Sequence, residues 1–437
     1  MKRILLALAL IASVQFAGAQ TKSPAEVTKA IESAEAAAQN PKKAANPSTW
    51  INIAAKYVDA YNAPVGNIWK GISQQELPLV VKEKPLATEQ VNLSGVPYMK
   101  NVYQNFDLYF NEGGLLEIIK VTKPYVNGAL DKAVEAYIKA YEVDVKGKKT
   151  KQIVAGLKDV ASKYMEDGLT EYTLGNYAEA SADFEKAGTS VECAPVSEMD
   201  AEAFYNAGFT AVLVKENERA IKLFEKCIAN DYSGEDGAVY SKIAECYTNL
   251  DQKDKAAEYL ETGFQKYPQS QSILVGLINY YLESGKNTDR LFELINAAKA
   301  NEPENASLYY VEGNINKQLG RVEDAVAAYA KCAEVDPNYE FGYIGSGILY
   351  YEAAIEASQK ASEEFDNAKY EALLKVIEEN LMNALEPFEK AFETTKNNDI
   401  KVSIAEYLKN IYYRFTTKGA EYEAGYNKYN DIVKNGL

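Results

Sequence analysis

Histidine is absent from all 437 residues, and with it the side chain that most often serves as general base, metal ligand or pH switch near neutrality. Serine–histidine and cysteine–histidine nucleophilic catalysis are thereby excluded. Cysteine is scarce: Cys193, Cys227, Cys246 and Cys332 are too few to staple a chain of this length, and none forms a CxxC pair. They read as small core residues. Cys227 and Cys246, near a seam between neighbouring helical segments, are the pair that an oxidising compartment would bridge if their Cα atoms lay within about 7 Å; two separate core thiols are the favoured reading. Glycine-rich phosphate loops and calcium-loop spacings are missing, and adjacent carboxylates such as Glu363-Glu364 and Glu378-Glu379 point to different sides of a helix. No catalytic residue, metal or cofactor is expected.

Positive charge is also in deficit, with 47 Lys and Arg against 63 Asp and Glu and a net charge of −16. A surface of that sign repels phosphate backbones and anionic lipid headgroups, so nucleic acid is not an expected partner. Long apolar runs are lacking apart from Ile4–Phe16, whose 13 residues fall short of the roughly 20 that span a bilayer. That run follows Met1-Lys2-Arg3 and precedes Ala17-Gly18-Ala19, the pattern of a secretory signal cleaved after Ala19. No cysteine follows the cleavage site to carry a lipid. The expectation is an exported protein of net charge −18 once Lys2 and Arg3 are removed, with no stable membrane insertion. The periplasm is the expected location, with the cell surface or secretion as alternatives.

What the sequence has is a period. Pro268, Pro303 and Pro337 stand 35 and 34 residues apart, each closing a helical pattern, as proline does by removing an amide donor. Counting back from Pro337 gives Tyr309, Gly313, Gly320, Ala325, Tyr329 and Cys332, large and small residues at helical spacing. Glycine and alanine belong where two antiparallel helices cross and their backbones approach. The same register holds Tyr240, Ala244, Tyr247, Ala256, Leu260 and Gly263 before Pro268. It also holds Phe204, Gly208, Ala220, Phe224 and Cys227, and Tyr164, Gly168, Gly175, Tyr177, Ala180, Phe184 and Ala187. The unit ending at Pro303 is weaker, with Leu291 where alanine is expected. Five units thus run over residues 161–338.

This pattern resembles the tetratricopeptide repeat family. The resemblance implies an all-α, right-handed superhelix of stacked hairpins whose first helices line a concave groove for extended protein segments. By register, the groove positions are Tyr172, Tyr205, Phe209, Ser241, Glu245, Asn279, Glu283, Tyr310, Asn314, Lys317 and Tyr351, with Asn279, Asn314 and Lys317 favoured because tyrosine so often serves the core. Lys317 is the only basic residue in the set, beside Glu245 and Glu283, so a clamp for a terminal carboxylate is not expected.

Two departures interrupt the register. Over residues 20–160, Trp50, Ala54 and Tyr57 form one first helix, while Ala133, Tyr137 and Ala140 form its second. The insertion between them, at about 62–128, carries the runs Leu77–Val81, Val102–Phe110 and Leu115–Thr122, with Asn111-Glu112-Gly113-Gly114 as a turn, which predicts a small β-hairpin or meander. Over residues 339–437, Tyr343, Gly347 and Tyr350 open a hairpin whose second helix carries Ala384, Phe388 and Ala391. The expected alanine is displaced by 25 residues, which predicts an αα-hairpin longer by about 18 Å. Capping helices follow near Ile400–Thr416 and Ala420–Lys434.

The function expected is a non-enzymatic scaffold of the bacterial cell envelope that holds an extended segment of a protein partner. The alternative is a glycan or small-ligand binder using Trp50 and Trp69 at the insertion as stacking platforms. A third class is an enzyme with a site between the insertion and the array.

Overall fold

A computed structural model describes residues 22–436; the expected signal over Met1–Ala19 lies outside them. The chain divides into two compact units with the boundary between Gly234 and Glu235, that is, within the run of five regular hairpins.

The first unit contains α1 (Pro24–Ala38), α2 (Pro41–Ala44), α3 (Pro47–Asn62), α4 (Leu77–Val80), β1 (Ala87–Leu93), β2 (Val96–Val102), β3 (Phe106–Phe110), β4 (Leu116–Val121), α5 (Ala129–Val143), α6 (Thr150–Leu174), α7 (Tyr177–Glu192), α8 (Ala201–Leu213) and α9 (Asn217–Ala229). The second contains α10 (Ala238–Asn249), α11 (Lys253–Lys266), α12 (Gln271–Ser284), α13 (Thr288–Asn301), α14 (Ala306–Gln318), α15 (Val322–Val335), α16 (Phe341–Ser362), α17 (Asn367–Thr394), α18 (Asn398–Phe415) and α19 (Ala420–Asn435). Helices pack on their sequence neighbours, the pairs α6–α7, α8–α9, α10–α11, α12–α13 and α14–α15 forming the five regular hairpins.

A glycine on the first helix and a ring on the second set the crossing. A Cβ at Gly168 would meet Phe184 at 2.6 Å, one at Gly208 would meet Phe224 at 2.8 Å, and one at Gly313 would meet Tyr329 at 2.5 Å. The sequence separation is the same in all three pairs. In the α16–α17 hairpin the equivalent pair is Gly347 and Phe388, at 2.8 Å, with a much longer stretch of chain between them. The close approach is kept, and the added residues lengthen both helices beyond it. Ala354, Ala357 and Ala361 of α16 share the buried seam with Ile377, Leu381 and Ala384 of α17, small residues that let the long helices lie together.

The turns inside four hairpins also share one chemistry. Gly175, Lys215, Asp251 and Gly320 all take positive φ. The next residue's amide returns to a carbonyl five positions back: Asn176 to Glu171 at 2.8 Å, Glu216 to Ala211 at 2.9 Å, Gln252 to Tyr247 at 2.8 Å and Arg321 to Asn316 at 2.8 Å. This is the left-handed cap that satisfies the last carbonyls of a helix and normally selects glycine. Lys215, at φ +63°, carries a side chain into that conformation at a cost of about 1 kcal/mol. Lys215→Gly is therefore expected to raise stability by about 0.5–1 kcal/mol, read as a higher urea midpoint for the α8–α9 hairpin.

The rings themselves differ in how their hydroxyls are treated. Tyr329 donates to Asn314 Oδ1 at 2.7 Å, whereas the buried Tyr240 hydroxyl has no hydrogen-bond partner. The same substitution is expected to act with opposite sign at the two sites. Tyr329→Phe loses about 1 kcal/mol, and Tyr240→Phe is neutral or gains up to about 1 kcal/mol by removing an unsatisfied group; paired denaturation curves decide it.

Helix α3 packs on α5 around Ala54, Tyr57, Ala133, Tyr137 and Ala140. The insertion between them is a four-stranded antiparallel meander in the order β1-β2-β3-β4. Its first hairpin turns at Ser94-Gly95, with φ +52° and +89°, the two left-handed residues of a tight hairpin turn. Phe106, Leu108, Phe110 and Leu116 form a core with Ile72 and Leu77. Two expectations are corrected here. The apolar run Leu77–Val81 is not a strand: Leu77–Val80 is one turn of helix with Pro78 in its first turn, where proline's missing donor is harmless. The run Val102–Phe110 is not one strand: Val102 ends β2, the chain turns at 103–105, and Phe106–Phe110 is β3.

Candidate functional site

In the first unit, one polar cluster gathers side chains from five elements. Tyr61 of α3 donates to Asp167 of α6 at 2.7 Å, and Tyr164 of α6 donates to Asp131 of α5 at 2.6 Å. Lys186 of α7 donates to the other oxygen of Asp131 at 2.8 Å, and Lys120 of β4 pairs with the buried Glu171 of α6. Burial raises the Asp131 carboxyl, but the Lys186 ammonium and Tyr164 hydroxyl overcome that and hold it below its ordinary range. Asp183 of α7 is treated otherwise: burial first, then the Asp167 anion, push it up to about 7. Asp167 is raised by burial against the opposing bond from Tyr61. The cluster ties the sheet and α3 to the α6–α7 hairpin. Among the described residues, no group of His, Cys, Asp and Glu has the arrangement to hold a metal ion.

Three mapped groove positions belong to this unit. Tyr172 lies 6.3 Å from Phe209, ring to ring, and 5.5 Å from Tyr177. Tyr205 lies between Phe224 and Tyr232, at 5.8 and 6.0 Å. All three are half-buried. Trp50 packs against the α3–α5 core and donates its indole N–H to the Ala44 carbonyl at 2.8 Å, while Trp69 is 48% exposed. All four cysteines are free thiols. Cys227 directs its sulfur at the Ala201 carbonyl, 3.6 Å away.

In the second unit, several mapped positions are held by neighbours. Ser241 shares a hydrogen bond with Ser272 at 2.8 Å, Glu245 pairs with Lys242 and Glu283 with Lys253, each at 2.7 Å. Asn279 is exposed. The Tyr310 ring lies 6.0 Å from Tyr329 and 5.6 Å from Phe341, and Asn314 accepts from the Tyr329 hydroxyl. Lys317 pairs with Glu352 at 2.7 Å, and Tyr351 meets Tyr407 edge-on at 5.0 Å.

Tyr351 and Glu352 open onto a feature that the register does not mark. Ile348, Tyr351 and Ile355 of α16, with Tyr407 of α18, floor a shallow depression of about 310 Å³ bordered by Glu352 and Glu356. Ile355 is 44% exposed. The repeat's mapped positions end near Tyr351, so the added turns of α16 fall outside them. The signal is nonetheless present: 348, 351, 352, 355, 356 and 359 share one helical face.

Tetratricopeptide-repeat family models match residues 238–270 and 306–339, the α10–α11 and α14–α15 hairpins whose crossings and turns are described above. The chain is a tetratricopeptide-repeat protein. Tetratricopeptide repeats support a protein-interaction scaffold as its broad function. The chain is similar to a BBSome complex member BBS4 homolog of Drosophila melanogaster, 24% identical over 253 residues, covering 54% of this chain and 51% of that one. It is also similar to a TPR repeat-containing protein of Methanocaldococcus jannaschii, 23% identical over 354 residues, covering 76% and 57%. The chain thus spans between half and three-fifths of the length of these curated relatives. Among solved structures it is similar to YrrB, a TPR protein with an unusual peptide-binding site (19% identity, TM-score 0.33, 48% of this chain and 96% of that one). A tetratricopeptide repeat protein from Parabacteroides merdae gives 14% identity, TM-score 0.38, and coverage of 56% and 98%. Among the described residues, no helix of this tetratricopeptide-repeat protein is long and apolar enough to cross a membrane.

Proposed function

We propose that this protein is a non-catalytic scaffold that holds an extended segment of a partner protein against the first helices of its hairpins, with an anchoring point on α16. The observation that carries this reading is the depression floored by Ile348, Tyr351, Ile355 and Tyr407. Apolar floor and polar border are what a buried anchor side chain needs, and Tyr351 is one of the positions where the repeat register puts partner contact. The indole N–H of Trp50 is held by Ala44, which weighs against a paired tryptophan platform for sugars. The proposed location is the cell envelope, the periplasm first, supported by the Met1–Ala19 pattern. The mass of the protein recovered from cell fractions tests that part.

Selection of a displayed library of random dodecapeptides on the immobilised protein tests the binding part. Recovered peptides are expected to share an apolar residue and to lose at least ten-fold in affinity for Ile355→Asp. Peptides that bind wild type and Ile355→Asp equally would remove α16 as the anchor.

A further inference from the structure

Charge is unevenly placed in this molecule, and the long hairpin carries an excess of it. Residues 341–394 hold eleven carboxylates against four lysines, a net charge of −7 on this one hairpin. On α16 the carboxylates border the apolar depression at Glu352 and Glu356 and continue at Glu363, Glu364 and Asp366 around the tip. There Phe365 is 97% exposed, an aromatic side chain that packs on nothing and stands among three anions.

Among the described residues, two cations pair with this stripe, both at the depression. Lys317 pairs with Glu352 and Lys360 with Glu356, both at 2.7 Å, with the two glutamates 58% and 67% exposed. Surface pairs of this kind contribute little to stability, so a partner's lysine or arginine can compete for the same carboxylates. At the tip, Glu364 accepts from the backbone amides of Phe365 and Asp366, and Asp366 from those of Ala368 and Lys369. Those bonds order the tip without cancelling its charge.

We infer that the α16 face selects a cationic protein segment, one that seats an apolar side chain between Ile348, Ile355 and Tyr407 and sets lysines or arginines against Glu352, Glu356 and the tip carboxylates. An acidic border around an apolar floor rejects anionic segments by like charge and admits cationic ones, which is specificity by complementarity. This rests on the reading that α16 is a protein-binding face and adds the charge of the partner to it.

The test uses three fluorescein-labelled 16-residue peptides with one leucine pattern at i, i+3, i+4 and i+7 and lysine, glutamine or glutamate at the remaining positions. Anisotropy titrations are run with the mature chain at 50 and 300 mM salt. The lysine peptide is expected to bind at least ten-fold more tightly than the glutamine peptide at low salt, with the advantage shrinking at high salt. Glu356→Lys with Glu363→Lys and Glu364→Lys should abolish that advantage. The same number of reversals on α19, Glu421→Lys with Glu423→Lys and Asp431→Lys, should keep most of it. Equal binding of the lysine and glutamine peptides, or an advantage lost equally with either set of reversals, overturns the cationic selection while leaving α16 as a binding face. Failure of all three peptides to bind counts against the binding face itself, and the selection falls with it.

Discussion

Replacing Tyr329 by alanine is expected to destabilise the second unit by about 3–5 kcal/mol. Tyr329 is 1% exposed and its ring is shared by two hairpins: a Cβ at Gly313 of its own hairpin or at Gly345 of the next would collide with it. Removing the ring opens a cavity between α14, α15 and α16 and frees Asn314. Because stacked repeats couple mainly to their neighbours, the loss should be local. Hydrogen exchange should accelerate in peptides from α14 to α16 and stay unchanged in α3 and α5. Gly313 supplies the decisive cross-check. Gly313→Ala alone should cost about 1–3 kcal/mol through collision with the ring. In the Tyr329→Ala background the same change should be neutral or gain up to about 1 kcal/mol, since alanine is the better helix former once the space is vacated. Additive effects of the two substitutions would show that ring and glycine do not set the crossing.

The second large effect concerns Asp183, which burial and the Asp167 anion hold up to about 7. A carboxyl whose folded pKa exceeds its unfolded value of about 3.9 favours the folded state while protonated. Its contribution is complete below pH 4 and is lost as pH rises through 7. The full difference corresponds to about 4 kcal/mol, which partial exposure to solvent reduces to about 2 kcal/mol. Asp183→Asn should therefore stabilise the first unit by about 2 kcal/mol at pH 8 and change little at pH 4.5. The groups facing Asp183 sharpen the prediction: Asp167 and Asp131 raise it, while Lys186 and Lys120 lower it. Lys186→Gln should push the pH of half-effect upward. A difference between Asp183→Asn and wild type that is flat from pH 4.5 to 8 would contradict the assignment.

Much of the architecture is legible because it rests on local spacing. A glycine and a ring at one fixed separation, with a left-handed turn residue between them, specify a helical hairpin wherever they occur, and they appear in the chain as Gly168–Phe184, Gly208–Phe224 and Gly313–Tyr329. The same logic, stretched to a longer separation, foretells the α16–α17 hairpin from Gly347 and Phe388. The hairpin of β1 and β2 escapes the sequence because β1, Ala87–Leu93, is largely solvent-facing and β2, Val96–Val102, is for the most part only half-buried, so neither shows a clean apolar alternation to read. Leu77–Val81 misleads because a short apolar run fits a strand or a buried helical turn equally well, and Pro78 is the residue that distinguishes them.

The candidate site is less legible, and for a different reason. By register Asn314 and Lys317 are the favoured free groove contacts, yet Asn314 accepts from Tyr329 and Lys317 pairs with Glu352, partnerships that join separate helices and leave no trace in a repeat register. The polar cluster of Tyr61, Lys120, Asp131, Asp167 and Asp183 draws on five elements scattered along the first unit, so only the fold assembles it. Ile348 and Ile355 lie on one visible helical face, but the family register carries no position for the turns that α16 adds.

The central claim is that the face of α16 is where a partner protein sits. The most direct measurement places a photo-crosslinking benzoylphenylalanine at position 355 and, for comparison, at position 145, whose Val145 is fully solvent-facing at 92% exposure but belongs to no proposed surface. Irradiation of cells expressing each variant is predicted to give a discrete protein adduct from position 355 that a second substitution, Tyr407→Ala, diminishes, with none from position 145. Adducts of equal yield from both positions, or from position 145 alone, would contradict the account.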